Sequence, residues 1–148
     1  YPRGTGPNAS VNSDLEGAGI GKARVIRESN SNVVFLNFGA LLDKALEVSE
    51  KMDFTLIDMR FVKPLDHEIL KKYLSKADYF LSLEDGSIAG GAGSAVQEFC
   101  SIESIDIKSI LFGIPDRFIE HSSREEMLES AGLSVTKILD RLKPLLGR

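Results

Sequence analysis

Residues 33–59 read VVFLNFGALLDKALEVSEKMDFTLIDM and contain the pattern that decides the fold. The first six residues, Val33 to Phe38, are a short apolar run typical of a buried strand. A helical period follows, because apolar residues recur at intervals of three and four, at Leu41, Ala45, Val48 and Met52. The run from Phe54 to Met59 is again strand-like. Strand, amphipathic helix and strand in this order predict two parallel strands joined by a helix.

The same alternation continues on both sides of this stretch. Further strands are predicted at 23–27, 79–83 and 105–112, and Ser and Asn at 28–32 predict a hairpin between the first two strands. Helices are predicted after the N-cap Asp66, after the glycine cluster at 90–94, and after Ser134. Capping-box spacing occurs twice, at Ser122 and Ser123. We therefore predict an α/β fold, a three-layer sandwich in which helices cover both faces of a mostly parallel five-stranded sheet.

The length of 148 residues and the 43% hydrophobic content fit one domain with one core. Glycine, proline, serine and asparagine dominate residues 1–21, which predicts an interdomain linker there and the domain itself at 22–148. The chain begins at Tyr1 rather than Met, which indicates a piece of a longer protein. Cys100 has no partner for an internal disulfide, which fits a reducing compartment, and we expect it to be buried in a helix.

The charge and hydropathy patterns exclude two classes of function. Lys and Arg number 18 against 22 Asp and Glu, a net charge of −4 with both signs interspersed, which argues against a nucleic-acid surface or an anionic-membrane anchor. The apolar runs are far shorter than the ~20 residues that a membrane span needs. We therefore expect no nucleic-acid partner and no membrane partner.

Polar residues lie at or just beyond the carboxyl ends of the predicted strands, where an open α/β sheet binds its ligands. They form either a binding edge or the ordinary polar loops of a sheet, and the second interpretation is favoured. These residues are Asn37, Asp58, Arg60, Glu84, Asp85, Asp116 and Arg117.

The glycine cluster Gly90, Gly91, Gly93 and Ser94 precedes a predicted helix, so its backbone amides could bind an anion. It does not match the dinucleotide fingerprint, because Val96 stands where the third Gly or Ala should be, and no Gly-Lys-Ser/Thr follows. The favoured interpretation is that the glycines let the helix lie close to the sheet or to another domain.

No catalytic or metal site is predicted from the remaining residues. His67 and His121 are the only histidines, and neither has a Cys, His or paired acid at metal-ligand spacing. We expect His67 to be solvated and His121 to lie in a loop or an interface. Arg3, in Tyr-Pro-Arg-Gly, offers a forked cation on a turn, which suits a phosphate, whereas the ordinary interpretation of a single Arg in a linker is a solvated side chain.

Four motifs are spread along the chain: YPRG at 1–4, DMRFVKPLD at 58–66, GGAGSAV at 90–96 and GIPDRFIEH at 113–121, with Ile20-Gly21-Lys22 between the first two. Together they resemble the C-terminal domain of the 1-deoxy-D-xylulose-5-phosphate synthases, and their order and spacing match along the whole chain. The second and fourth motifs are specific to that synthase family. One departure is Glu84-Asp85-Gly86-Ser87, where the family usually has Glu-Glu-Asn-Ala.

The resemblance implies a transferase that joins two carbons of pyruvate to glyceraldehyde 3-phosphate and releases CO2, for isoprenoid and thiamine precursor synthesis. It implies thiamine diphosphate and Mg²⁺ bound by preceding domains, so that this fragment alone is inactive and holds neither cofactor. It also implies that Arg3 contacts the substrate phosphate, and that the partners are the preceding domains and, at full length, a second copy in a homodimer. The expected location is a bacterial cytoplasm, with a plastid-type organelle as the alternative. The alternative function is a free-standing transketolase-like module that binds an anion or regulates.

Overall fold

The computed structural model describes residues 19–147, which form a five-stranded sheet and five helices. In chain order these are β1 (Arg24–Arg27), β2 (Val33–Phe38), α1 (Leu42–Met52), β3 (Thr55–Asp58), α2 (His67–Leu74), β4 (Tyr79–Ser87), α3 (Ala92–Ile102), β5 (Lys108–Ile114), α4 (Arg124–Ala131) and α5 (Val135–Leu146).

The strands lie side by side in the order β1-β3-β2-β4-β5. Four of them, β2 to β5, are parallel, whereas β1 runs antiparallel to β3 at one edge. The prediction of a mostly parallel five-stranded α/β sheet is therefore confirmed.

The predicted hairpin between the first two strands is wrong. β1 pairs with β3 instead, and residues 28–32 are tied to the start of β3: the Ser29 amide donates to Thr55 Oγ1 at 3.1 Å, and the Ser29 hydroxyl donates to the Asp53 carbonyl at 2.7 Å. All six side chains of β2 are buried, which fits the position of β2 at the centre of the sheet, between β3 and β4. Turn-forming residues alone do not distinguish these two arrangements.

The largest differences from the predicted strand boundaries are in β4 and β5. β4 extends to Ser87, because after an irregularity beyond Leu83 it pairs with β5 again at Ile114. β5 begins at Lys108 rather than Ile105.

Apolar side chains on the two faces of the sheet form two separate clusters. Phe35 and Leu56 point to one face, where α1 and α5 cover them, and Leu36 and Ile57 point to the other, beneath α2 and α3. Cys100 is buried on the second face, as expected, and this burial raises the pKa of its thiol. Successive side chains of a strand point to opposite faces of the sheet, so each strand contributes to both clusters. Helices cover both faces, which gives the three-layer arrangement.

Side-chain caps fix three of the helices. Asp66 and Ser134 accept backbone N–H groups at the starts of α2 and α5, as predicted. Of the two capping-box candidates, Ser123 is the N-cap of α4, and its backbone N–H donates to Glu126 Oε2 at 3.1 Å. The Ser122 hydroxyl and, to a smaller extent, the Ser123 hydroxyl donate hydrogen bonds to the Glu126 carboxylate and lower the pKa of Glu126 to about 2. No helix within residues 19–147 is long and apolar enough to cross a membrane.

Candidate functional site

The carboxyl ends of the parallel strands bring part of the predicted polar edge together. Asn37 lies opposite Asp58 on the neighbouring strand, and Asp58 is followed by Arg60, whose Nε is 4.0 Å from the Asp58 carboxylate. Asn37 is fully buried, and its side-chain amide donates to the Gly39 carbonyl at 3.0 Å. Because this amide is used within its own loop, Asn37 fixes the turn between β2 and α1.

The other predicted edge residues point in different directions. Asp85 forms a 3.0 Å ion pair with Arg124 at the start of α4, and Arg117 donates to the Ser130 carbonyl at 2.6 Å. Asp116 is exposed in the loop after β5. Arg117 joins the loop before α4 to α4, and Asp85 joins β4 to α4, so the edge is a set of separate contacts rather than one cluster of reactive groups.

Glu84 is directed into the domain and caps α3. Its side chain is only 6% exposed, and its two carboxylate oxygens accept the backbone N–H groups of Ala92 at 2.8 Å and of Gly93 at 3.1 Å. The N-cap residue, Gly91, supplies no side-chain hydrogen bond of its own. A negative charge at the positive end of a helix is favourable, so Glu84 occupies the place where an external anion would bind.

The glycines of the cluster allow this close packing. A Cβ on Gly91 would lie 2.2 Å from the Ser87 carbonyl oxygen and 2.4 Å from Glu84 Oε2, and a Cβ on Gly93 would lie 2.3 Å from Ser82 Oγ. Gly90 adopts the left-handed conformation, with φ of 70°. Ser94 donates its hydroxyl to the Ile88 carbonyl at 3.4 Å. The geometry thus fits the interpretation that the glycines bring α3 close to β4.

Asp66 joins the DMRFVKPLD segment to the beginning of the domain. One carboxylate oxygen caps α2 at the Ile69 amide, at 3.2 Å, and the other accepts the Ala23 amide at 3.0 Å. Beside it, a Cβ on Gly21 would lie 2.8 Å from Pro64 Cγ, and Gly21 has a φ of 68°. These contacts fix the residues that lead into β1.

Neither of the two histidines singled out in the sequence belongs to a cluster of reactive groups among the described residues. His67 is exposed, with its ring centroid 4.8 Å from that of Phe99, and His121 is exposed in the loop before α4. Phe118, in the same loop, is fully exposed. Arg3 lies outside the described residues, so its predicted phosphate contact stays a prediction.

The described residues do not fit thiamine diphosphate or its magnesium ion. Between residues 19 and 147, no group of three or more His, Cys, Asp or Glu side chains is placed to hold a metal ion. The glycine-rich start of α3, which could otherwise hold a diphosphate, already bonds to Glu84. No step of a thiamine reaction is therefore assigned to these residues.

Sequence reasoning did not find the capping function of Glu84 or the second contact of Asp66. One signal for Glu84 was present: Ser82 and Glu84 alternate with buried leucines in β4, so both point to the face that α3 covers. A carboxylate directed under a glycine-rich helix start favours capping. For Asp66, nothing local indicated its contact with Ala23, 43 residues earlier.

Comparisons with known proteins agree with this architecture. A family model described as the C-terminal domain of transketolase matches residues 21–138. The chain is 43% identical over 147 residues to the 1-deoxy-D-xylulose-5-phosphate synthase of Thioalkalivibrio sulfidiphilus (strain HL-EbGR7), a match that covers 99% of this chain and 23% of that protein. It is 46% identical over 134 residues to the synthase of Pseudomonas fluorescens (strain Pf0-1), with coverage of 90% and 21%. The chain spans less than a quarter of the length of these curated relatives.

Two solved structures have the same fold. A split gene transketolase described as an inactive beta4 tetramer has a TM-score of 0.78 at 27% identity, over 92% of this chain and 45% of that chain. Transketolase from Campylobacter jejuni subsp. jejuni NCTC 11168 has a TM-score of 0.61 at 18% identity, over 93% and 20%, which is a likeness of fold alone. The resemblance inferred from the sequence motifs is confirmed.

Proposed function

This chain belongs to the transketolase C-terminal domain family, and we propose that it is the C-terminal domain of a 1-deoxy-D-xylulose-5-phosphate synthase. The whole protein would be a transferase that joins two carbons of pyruvate to glyceraldehyde 3-phosphate and releases CO2, in isoprenoid and thiamine precursor synthesis. Preceding domains would bind thiamine diphosphate and Mg²⁺, and the full-length protein would act as a homodimer in a bacterial cytoplasm. In the whole protein, this domain would fix the position of the linker that carries Arg3.

The observation that carries this proposal is the register of β1. Arg24, the first residue of β1, lies opposite Asp58, the last residue of β3. The chain therefore enters the domain at the carboxyl edge of the parallel sheet, the edge at which α/β domains bind ligands. Asp66 fixes the Ala23 amide at that point. A linker that arrives at a fixed place can present a guanidinium fork to a substrate phosphate.

A test of the proposal begins with the gene upstream of Tyr1. We expect the reading frame to continue upstream and to encode domains with the Gly-Asp-Gly…Asn diphosphate motif. The full-length product should release CO2 from pyruvate plus glyceraldehyde 3-phosphate, whereas residues 1–148 alone should not. A start codon immediately before this stretch, or turnover by the 148-residue chain, would contradict the proposal.

The role of Arg3 is tested in the same full-length protein. Arg3→Ala should lower kcat/KM for glyceraldehyde 3-phosphate by about 10- to 150-fold, which corresponds to about 1.5–3 kcal/mol for a charge-assisted contact. The KM for pyruvate should stay nearly constant, and Arg3→Lys should lose less. Arg124→Ala, which breaks the ion pair with Asp85 at α4, is the control. Equal losses for both substrates would exclude the phosphate contact.

The alternative function, a free-standing module that binds an anion at Gly90 to Ser94, has less support from the geometry. An anion there would have to displace the Glu84 carboxylate from the amides of Ala92 and Gly93. Titration of the 148-residue chain with inorganic phosphate, followed through these two amide resonances, separates the functions. Saturable shifts at millimolar phosphate would favour the module.

A further inference from the structure

Two exposed apolar residues flank the contact between Gly21 and Pro64. Ile20 is 81% exposed and Val62 is 47% exposed, and Pro64 itself is exposed. Gly21 is buried against Pro64, and this contact joins the segment that contains Ile20 to the segment that contains Val62. We call Ile20, Val62 and Pro64 the linker-side patch.

Charged residues lie close to this patch along the chain. Lys22, two residues after Ile20, forms a 2.9 Å ion pair with Glu68, and Arg60, two residues before Val62, has its Nε 4.0 Å from the Asp58 carboxylate. An apolar centre with a polar rim is the usual composition of a protein contact surface. The backbone beneath is rigid, because Lys22 N–H donates to the Gly19 carbonyl at 3.0 Å and Asp66 holds Ala23.

The position of the patch identifies what covers it. Everything that precedes Gly19 in the polypeptide is attached directly beside Ile20. In the Thioalkalivibrio synthase the matched residues are only 23% of the chain, so most of that polypeptide lies outside the match. A domain attached through the short segment 1–18 is present at high effective concentration at this surface and needs little contact area to stay docked.

We propose that the linker-side patch is the surface on which the preceding domain of the same polypeptide docks, with Ile20 and Val62 inserted into an apolar surface of that domain. The inference rests on the proposed function, since it requires a preceding domain. Docking here orients the linker, and hence Arg3, relative to the carboxyl edge of the sheet. Phe118 is also exposed, but it follows β5, and β5 is the outermost strand on the other side of the sheet from β1, where the chain enters.

Limited trypsin digestion of the full-length protein tests the proposal. Arg3 is the only Lys or Arg among residues 1–21, so cleavage after Arg3 reports on access to the linker. The double variant I20S/V62S should be cleaved there about tenfold faster than the unmodified protein. The matched control is Ile102→Ser, because Ile102 is also 81% exposed but lies at the end of α3, at the amino edge of the sheet. This control should stay within about twofold.

Thermal unfolding of the 148-residue chain separates docking from folding. Substitutions of exposed side chains change the stability of a domain little, so the melting temperature should be the same with and without I20S/V62S. If the double variant lowers it, Val62→Ser alone is used, and it should still accelerate cleavage. Equal cleavage rates for the patch variants and Ile102→Ser would overturn the proposal. If the full-length protein is active while these rates are equal, only the docking surface is wrong, whereas the absence of any upstream domain would refute the proposed function.

Discussion

Replacing Glu84 by glutamine is expected to destabilise the domain by about 2–4 kcal/mol. The carboxylate is almost fully buried and accepts two backbone N–H groups, one on each oxygen. Hydrogen bonds to a charged group contribute about 1.5–3 kcal/mol each. Glutamine keeps one acceptor oxygen and places an NH2 group against the other N–H, so one bond is lost, the second loses its charge, and one buried donor stays unsatisfied.

Urea unfolding followed by circular dichroism at pH 7 measures this loss. For a chain of this size, 2–4 kcal/mol corresponds to a fall in melting temperature of about 5–15 °C. Asp85→Asn is a matched control, because it removes the next carboxylate in the same strand. Asp85 is exposed and pairs with Arg124 at the surface, so its replacement should cost less than about 1 kcal/mol. Hydrogen exchange at the Ala92 and Gly93 amides should accelerate only in Glu84→Gln.

Two outcomes would refute the capping role of Glu84. The first is an equal loss of stability in Glu84→Gln and Asp85→Asn. The second concerns Glu84→Ala, which exposes both amides to external anions. Phosphate should stabilise this variant more than the unmodified chain, because only a vacated helix start can bind it. If phosphate stabilises the unmodified chain to the same degree, the amides are not occupied by Glu84.

Three further changes test other contacts in the domain. Asp66→Ala removes the α2 cap and the bond to the start of β1, and should cost about 2–4 kcal/mol in urea unfolding, with faster exchange of the first β1 amides. Gly93→Ala should cost about 1–3 kcal/mol by overpacking against Ser82, and adding Ser82→Ala should recover part of it, because this buried hydroxyl has no hydrogen-bond partner among the described residues. The pKa of Glu126 is lowered from 4.5 to about 2, so the ionised side chain stabilises the fold fully above pH 4.5 and loses this effect as the pH falls toward 2. The difference in stability between the unmodified chain and Glu126→Gln should therefore shrink across that range.

Local patterns in the sequence predicted the parts of the fold that local physics decides. The period of β2, α1 and β3 follows from which side chains face the core, and the caps at Asp66, Ser123 and Ser134 depend on groups within three residues. The partner of β1 was predicted wrongly because the choice between β2 and β3 depends on contacts such as Ser29 with Asp53, 24 residues apart. Propensity does not contain that information.

The candidate site was predicted less completely than the fold. Asn37 and Asp58 lie at the carboxyl ends of β2 and β3, and Glu84 lies within β4, which extends beyond its predicted end. Position along a strand does not say whether a polar group faces solvent or bonds within the domain. Glu84 turns to its own helix, and Asn37 to its own loop. Arg3 lies outside the described residues, so its contact is still a prediction.

Two of the motifs that carry the family resemblance make mainly structural contacts in this domain. In DMRFVKPLD, Pro64 packs against Gly21 and Asp66 binds Ala23, and in the glycine motif Gly93 makes room for Ser82. Each of these contacts fixes either the carboxyl edge of the sheet or the place where the linker reaches it. Under the proposed function, the domain would affect the reaction through the position of the chain that precedes Gly19. Substitutions at these contacts should therefore alter domain stability and linker position together, whereas substitutions at Ile20 and Val62 should alter linker access alone.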